Sequence, residues 1–132
     1  MAIEVQSVTV TPVYNKQHGG TLQITTEVLN HSNVNFTFRL GRSYGKADTL
    51  WYDIPWSDFA LAPGQSDRRS VTVSIPDTAE ARALAKPWDL WVRVVNLQNT
   101  VVYDSVLARD VIHFAVAPPE VISAAITAIS LA

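Results

Sequence analysis

Apolar and polar positions alternate with a period of two along most of this chain. Val34, Phe36, Phe38 and Leu40 alternate with Asn33, Asn35, Thr37 and Arg39, which predicts a strand with one face inward and one toward water. Leu22, Ile24, Thr26 and Val28 predict a second strand. Asn30-His31-Ser32 reads as a short polar turn, so these two strands are expected to pair as a hairpin. Val71, Val73 and Ile75 alternate with serines and a threonine until Pro76 stops the run. Trp88, Leu90, Val92 and Val94 alternate with Asp89, Trp91 and Arg93, which puts Trp88 and Trp91 on opposite faces. Residues 97–100 turn the chain into a strand over 101–106, and residues 109–116 predict a last core strand. Near the start, Ile3 and Val5 share one parity while Val8 and Val10 share the other. That switch predicts a bulge near Gln6-Ser7, or a strand passing between sheets.

Two stretches depart from this period. Asp77-Thr78-Ala79-Glu80 has capping-box spacing, with Asp77 as cap and Glu80 reaching back, and an alanine-rich run follows. Pro87 limits that helix to about two turns, so it is a connector. The other is the uncharged tail after Pro118-Pro119-Glu120, with Val121, Ile122, Ile126, Ile129 and Leu131. As a helix it brings Ile122, Ile126 and Ile129 to one face; as a strand it uses its β-branched content. Residues 120–127 also match residues 4–11 at four of eight positions: Glu, Val, Ser and Thr. The tail therefore reads as the opening of a second repeat, as a strand added to a neighbouring copy, or as a chance match.

About seven or eight short strands with turns between them indicate an all-β fold, an immunoglobulin-like two-sheet antiparallel sandwich. The expected organisation is a sandwich over residues 1–117 and an apolar C-terminal arm over 118–132. Along the chain run Thr11-Pro12, then Gly20-Thr21-Leu22-Gln23-Ile24, then Val28-Leu29-Asn30, and later Leu61-Ala62-Pro63-Gly64-Gln65-Ser66 before Val71-Thr72-Val73. This order resembles the bacterial cell-adhesion-related (CARDB-type) immunoglobulin-like modules over roughly residues 3–116. The resemblance implies the fold and non-catalytic association, and it implies no ligand. The aromatic stretch at residues 51–59, the connector helix and the tail depart from it.

Composition narrows the function classes. With 132 residues, 48% hydrophobic and 17% charged, one packed domain is expected rather than a disordered chain. A formal net charge of −2 gives no footprint for nucleic acid or an anionic membrane. The absence of cysteine removes disulfides and thiolate chemistry. The tail is shorter than the roughly 20 apolar residues that span a bilayer as a helix. No basic region followed by an apolar stretch marks a signal peptide, so the expected location is the cytoplasm or a virion assembled there. An extracellular location is expected if the sequence is a piece of a secreted protein.

No catalytic motif is present, so no enzyme, cofactor or metal site is expected. His18, His31 and His113 are isolated, with His18 and His31 in turn-like segments as solvated rings, and Asp48, Asp53, Asp58 and Asp67 lack calcium-loop spacing. Asn30-His31-Ser32 and Asn35-Phe36-Thr37 match the glycosylation pattern by chance. The distinctive internal stretch is Trp51-Tyr52-Asp53-Ile54-Pro55-Trp56-Ser57-Asp58-Phe59. It reads as a core strand running into an aromatic-anchored loop, with Tyr52 and Ile54 inward. Trp51, Trp56, Phe59 and Trp91 are the candidate interface or ligand aromatics; a sugar platform is the alternative use. The expectation is a structural protein present in many copies, a virion decoration or tail-associated component. Its C-terminal arm (Val121, Ile122, Ile126, Ile129, Leu131) and surface aromatics would hold it to homo-oligomer or particle neighbours. A carbohydrate- or protein-binding adhesion module is the alternative.

Overall fold

A computed structural model describes residues 12–115, the backbone of residues 3–5, and residues 128 and 130. Among these residues the strands are β1 (Ile3–Val5), β2 (Val13–Lys16), β3 (Thr21–Asn30), β4 (Phe36–Lys46), β5 (Leu50–Leu61), β6 (Ser66–Ser74), β7 (Trp88–Val95) and β8 (Val102–Phe114). One short helix, α1 (Ala79–Ala83), joins β6 to β7. A three-stranded sheet has the order β1-β3-β6, and a five-stranded sheet the order β2-β8-β7-β4-β5. All pairings are antiparallel except β2 with β8. The chain is thus all-β, as its alternation predicts.

The inward faces of both sheets meet in one core. Leu22, Ile24 and Val28 of β3 contribute from one side, and Phe38, Leu40, Trp88, Val92 and Val94 from the other. Tyr44 ties the layers together, its hydroxyl donating to the Ser74 carbonyl at 3.0 Å. Burial raises its pKa above that of an ordinary phenol.

The expected β3–β4 hairpin does not form. The two strands lie in different sheets and face each other across the core. Asn30 fixes this crossover. It is fully buried, and its amide donates to the carbonyls of Val34 (2.9 Å) and Leu61 (3.1 Å) while its oxygen accepts from Ser32. An amide so fully engaged is closed to glycosylation in the folded chain. Val34, placed inward by its parity, is 47% exposed because β4 begins only at Phe36.

Other boundaries differ in smaller ways. Residues 101–116 were expected as two strands, and β8 runs unbroken from Val102 to Phe114. The cap of α1 is Thr78, whose hydroxyl accepts from Ala81 N–H at 3.0 Å. Asp77 is instead drawn to Arg82 (2.6 Å), which holds its carboxyl below the usual range. β1 lies in one sheet and β2 in the other, and the parity switch itself, between Val5 and Val8, falls on residues 6–11, which lie outside the described residues.

Candidate functional site

The outer face of the five-stranded sheet carries the distinctive chemistry. β5 is a single edge strand of 12 residues, not a strand running into a loop. Its register against β4 passes from Leu40↔Ser57 to Arg42↔Ile54, so Pro55 and Trp56 together oppose Gly41. Such a bulge tolerates the missing N–H of proline, and it resets which residues point inward. Ile54 is therefore inward on one side of it, and Phe59 and Leu61 on the other.

Trp56 is 39% exposed and lies flat across β4. A Cβ at position 41 would come within 2.3 Å of its ring, so only glycine leaves the space. The Arg93 guanidinium stands 5.2 Å from the Trp56 ring centre and 4.1 Å from that of Trp91. Trp91 meets Trp51 at 5.7 Å between centroids, and its indole N–H donates to Ser105 Oγ at 2.8 Å. The result is a row of Trp56, Arg93, Trp91 and Trp51 built from β5 and β7, with stacked cation–π contacts at its centre. Its rings cover the central strand: positions 40 to 45 of β4 are buried on both faces.

Polar groups frame this row. Ser43 Oγ donates to Asp53 at 2.6 Å. Arg39 donates to both carboxylate oxygens of Asp58, at 2.8 and 3.2 Å. That hydrogen bonding holds the Asp58 carboxyl below the usual carboxylate range. Beyond Trp51 and Trp91, the exposed Leu107 and Arg109 of β8 and Asp48 of the β4–β5 turn border an open groove of about 180 Å³.

Of the candidate aromatics, the structure brings together Trp51, Trp56 and Trp91. Phe59 is not with them: it is 8% exposed and packs on Phe38 in the core, because the bulge turned its parity inward. Val121, Ile122, Ile126, Ile129 and Leu131 lie outside the described residues. Arg93, Ser105, Leu107 and Arg109 were not singled out from the sequence. Their signal was shared parity: Trp91 pairs with Leu107 and Arg93 with Ser105 across β7 and β8.

Two of the three histidines, His18 and His113, serve packing. His18 is not a solvated turn residue; its ring stacks on Phe114 at 4.7 Å and Nδ1 donates to the Pro76 carbonyl at 3.0 Å. His113 stacks on Tyr14. Among the described residues no group of three or more His, Asp or Glu is placed to hold a metal, and no helix is long and apolar enough to cross a membrane.

No family model matches the chain, and no curated protein matches it. Solved structures share its fold as parts of larger proteins. An alkylpurine DNA glycosylase of Pseudomonas fluorescens, bound to DNA containing an abasic site analog, superposes with a TM-score of 0.55 at 11% identity, over 87% of this chain and 31% of that one. A β-glucuronidase of Bacteroides uniformis gives 0.50 at 18% identity, over 80% of this chain and 12% of that one. A β-glucosidase of Listeria innocua gives 0.50 at 10% identity, over 87% and 16%. The chain thus spans less than a third of each, and at such identities the likeness describes fold alone.

Proposed function

We propose that this chain is a non-catalytic, immunoglobulin-like module, similar to the CARDB-type domains, that works by association with neighbouring copies in a larger assembly such as a virion. The observation that carries this reading is the outer five-stranded face. Trp56, at 39% exposure, ends the preformed Trp–Arg row on it, and Leu107, at 40%, lies beside that row. Rigid aromatics and arginine at a solvent-facing sheet are the residue types that dominate protein contacts, because little side-chain freedom is lost when they are covered.

The tail supports the same reading through chain length. β1 pairs with β3 in the register Glu4↔Leu29 and Val5↔Val28. By its match to residues 4–11, the tail would place Glu120 beside Leu29. The end of β8 lies at the opposite end of β3: Phe114 stacks on His18, and Lys16 beside it donates to the Thr21 carbonyl at 3.0 Å. Thr21 and Leu29 are separated by about 27 Å of strand. The six steps from Phe114 to Glu120 extend at most about 20 Å. That slot, which β1 fills, is beyond the reach of the chain's own tail, so a tail that competes with β1 for it comes from a neighbour.

The test is sedimentation across a concentration series. The intact chain is expected to associate, and Trp56→Ala with Leu107→Ser to shift association to at least tenfold higher concentration, as loss of one or two contact anchors implies. A monomer at every concentration for the unaltered chain overturns the reading.

A further inference from the structure

The end of the outer face nearest the β4–β5 turn has a chemistry of its own. Trp51 and Trp91 meet there with planes tilted by 38°, beside the groove lined by Ala47, Asp48, Trp51, Trp91, Leu107 and Arg109. We propose that this groove binds a single pyranose sugar ring, free or as one unit of a glycan; the site does not require the association proposed above.

A pyranose presents an apolar C–H face and an edge of hydroxyls. Two tilted indoles and the Leu107 side chain offer an apolar surface for the first. The rim offers complementary groups for the second: the Asp48 carboxylate only accepts hydrogen bonds, and the Arg109 guanidinium only donates them. Both side chains are exposed, and neither has a hydrogen-bond or ion-pair partner among the described residues. Neighbouring hydroxyls both donate and accept, so one ring can serve both groups. A purely apolar guest would strip water from Asp48 and Arg109 and return nothing. A simple anion would gain Arg109 and be set against Asp48.

The groove is also prepared in advance. Ser105 holds the Trp91 indole at 2.8 Å, Arg93 lies 4.1 Å from its ring centre, and Asp48 sits in a turn closed by the Thr49 N–H to Lys46 carbonyl bond at 3.1 Å. Little ordering is left for binding to impose. At about 180 Å³ the space suits one ring and not two, so single-site affinity is expected to be weak.

The full chain should be titrated with the methyl pyranosides of glucose, galactose and mannose, followed by tryptophan emission and saturation-transfer NMR. Saturable binding in the millimolar range is expected for at least one epimer. Trp51→Ala and Arg109→Gln should each weaken it roughly tenfold, with circular dichroism as in the parent for both and the thermal midpoint unchanged for Arg109→Gln, whose side chain is exposed. Asp48→Asn, at an exposed turn position, gives a third variant that leaves the fold intact and should weaken binding in the same direction. A linear oligosaccharide of the preferred sugar then separates the sources. Tighter binding marks an internal glycan unit and equal binding a terminal one; either supports the site. Absence of a saturable response to every pyranoside overturns it, as does a response unchanged in both Trp51→Ala and Arg109→Gln. Leu107 lines the groove and serves both readings, so the two are separated at Trp56, which lies outside the groove and reads association alone.

Discussion

Asp89 shows why a polar residue in an alternating strand need not face water. It occupies an outward position of β7 by parity and is fully buried. Its two oxygens accept from the N–H groups of Ala47 (3.0 Å) and Asp110 (2.8 Å), with Lys46 Nζ at 3.6 Å. One carboxylate thus joins the β4–β5 turn to the irregular stretch of β8 opposite Trp88 and Leu90. Asp89→Ala would leave two buried N–H groups without their acceptor, while Lys46 keeps the Pro87 carbonyl (3.0 Å) and Asp110 (3.1 Å). A loss of about 3 kcal/mol is expected in urea unfolding. Arg42 presents the reverse case. It is 5% exposed, points into the core side of β4 beside Arg69, and donates to Ser57 Oγ at 3.2 Å with no carboxylate partner among the described residues. Burial, with the Arg69 charge added, pushes its pKa below that of an ordinary guanidinium. Arg42→Met keeps the length of the side chain and removes the desolvated charge. It should leave stability unchanged or raise it by roughly 1 kcal/mol in the same measurement. Neither residue was legible as buried, because alternation assigns a face and says nothing of what covers it.

Strands were readable where one face is buried throughout. Leu22, Ile24 and Val28 in β3, and Leu90, Val92 and Val94 in β7, all point to the core as their spacing requires. Pairing was less readable, since a period of two is the same in either sheet. The β3–β4 link shows the consequence: Asn30, read as a turn residue, is the buried anchor that sends β4 to the other layer. β5 hid its continuity for a different reason. Pro55 looks like a terminator, but at the sheet edge and inside a bulge its missing N–H removes no ladder bond. Gly41 is the other half of that bulge, and it carries a test. In Gly41→Ala the new Cβ would stand 2.3 Å from the Trp56 ring, at the far end of a side chain that can swing into solvent. The expected outcome is a loss of only about 1 kcal/mol, with a red shift in tryptophan emission as Trp56 leaves β4 and Arg93. A large loss with unchanged emission would mean that the backbone, and not the indole, gives way.

The assembled molecule poses a question that its sheets do not answer alone: which strand belongs beside β3. Residues 4–11 and 120–127 share Glu, Val, Ser and Thr at four of eight matching positions, so at those positions either segment offers the same side chains to that edge. Two like segments competing for one slot, one of them too short in its tether to return home, is the arrangement that exchanges strands between copies. The absence of cysteine makes this directly measurable, since any introduced pair would be the sole thiols. Leu29 is half-buried and pairs with Glu4, which places position 29 within disulfide reach of whatever occupies the Glu4 position. A chain carrying Leu29→Cys, mixed with one carrying Glu120→Cys under mild oxidation, is expected to give a disulfide-linked dimer containing one of each. Glu4→Cys with Leu29→Cys in a single chain is expected to close within that chain, which reports that the slot is folded and its register correct. Closure of this internal pair without any mixed dimer would confine association to the outer face. A chain carrying both Leu29→Cys and Glu120→Cys that closes on itself as a monomer would contradict the length argument. In that case residues 115–119 would have to span a distance their bonds do not allow unless β8 frays first, and hydrogen exchange at positions 111–114 would show it.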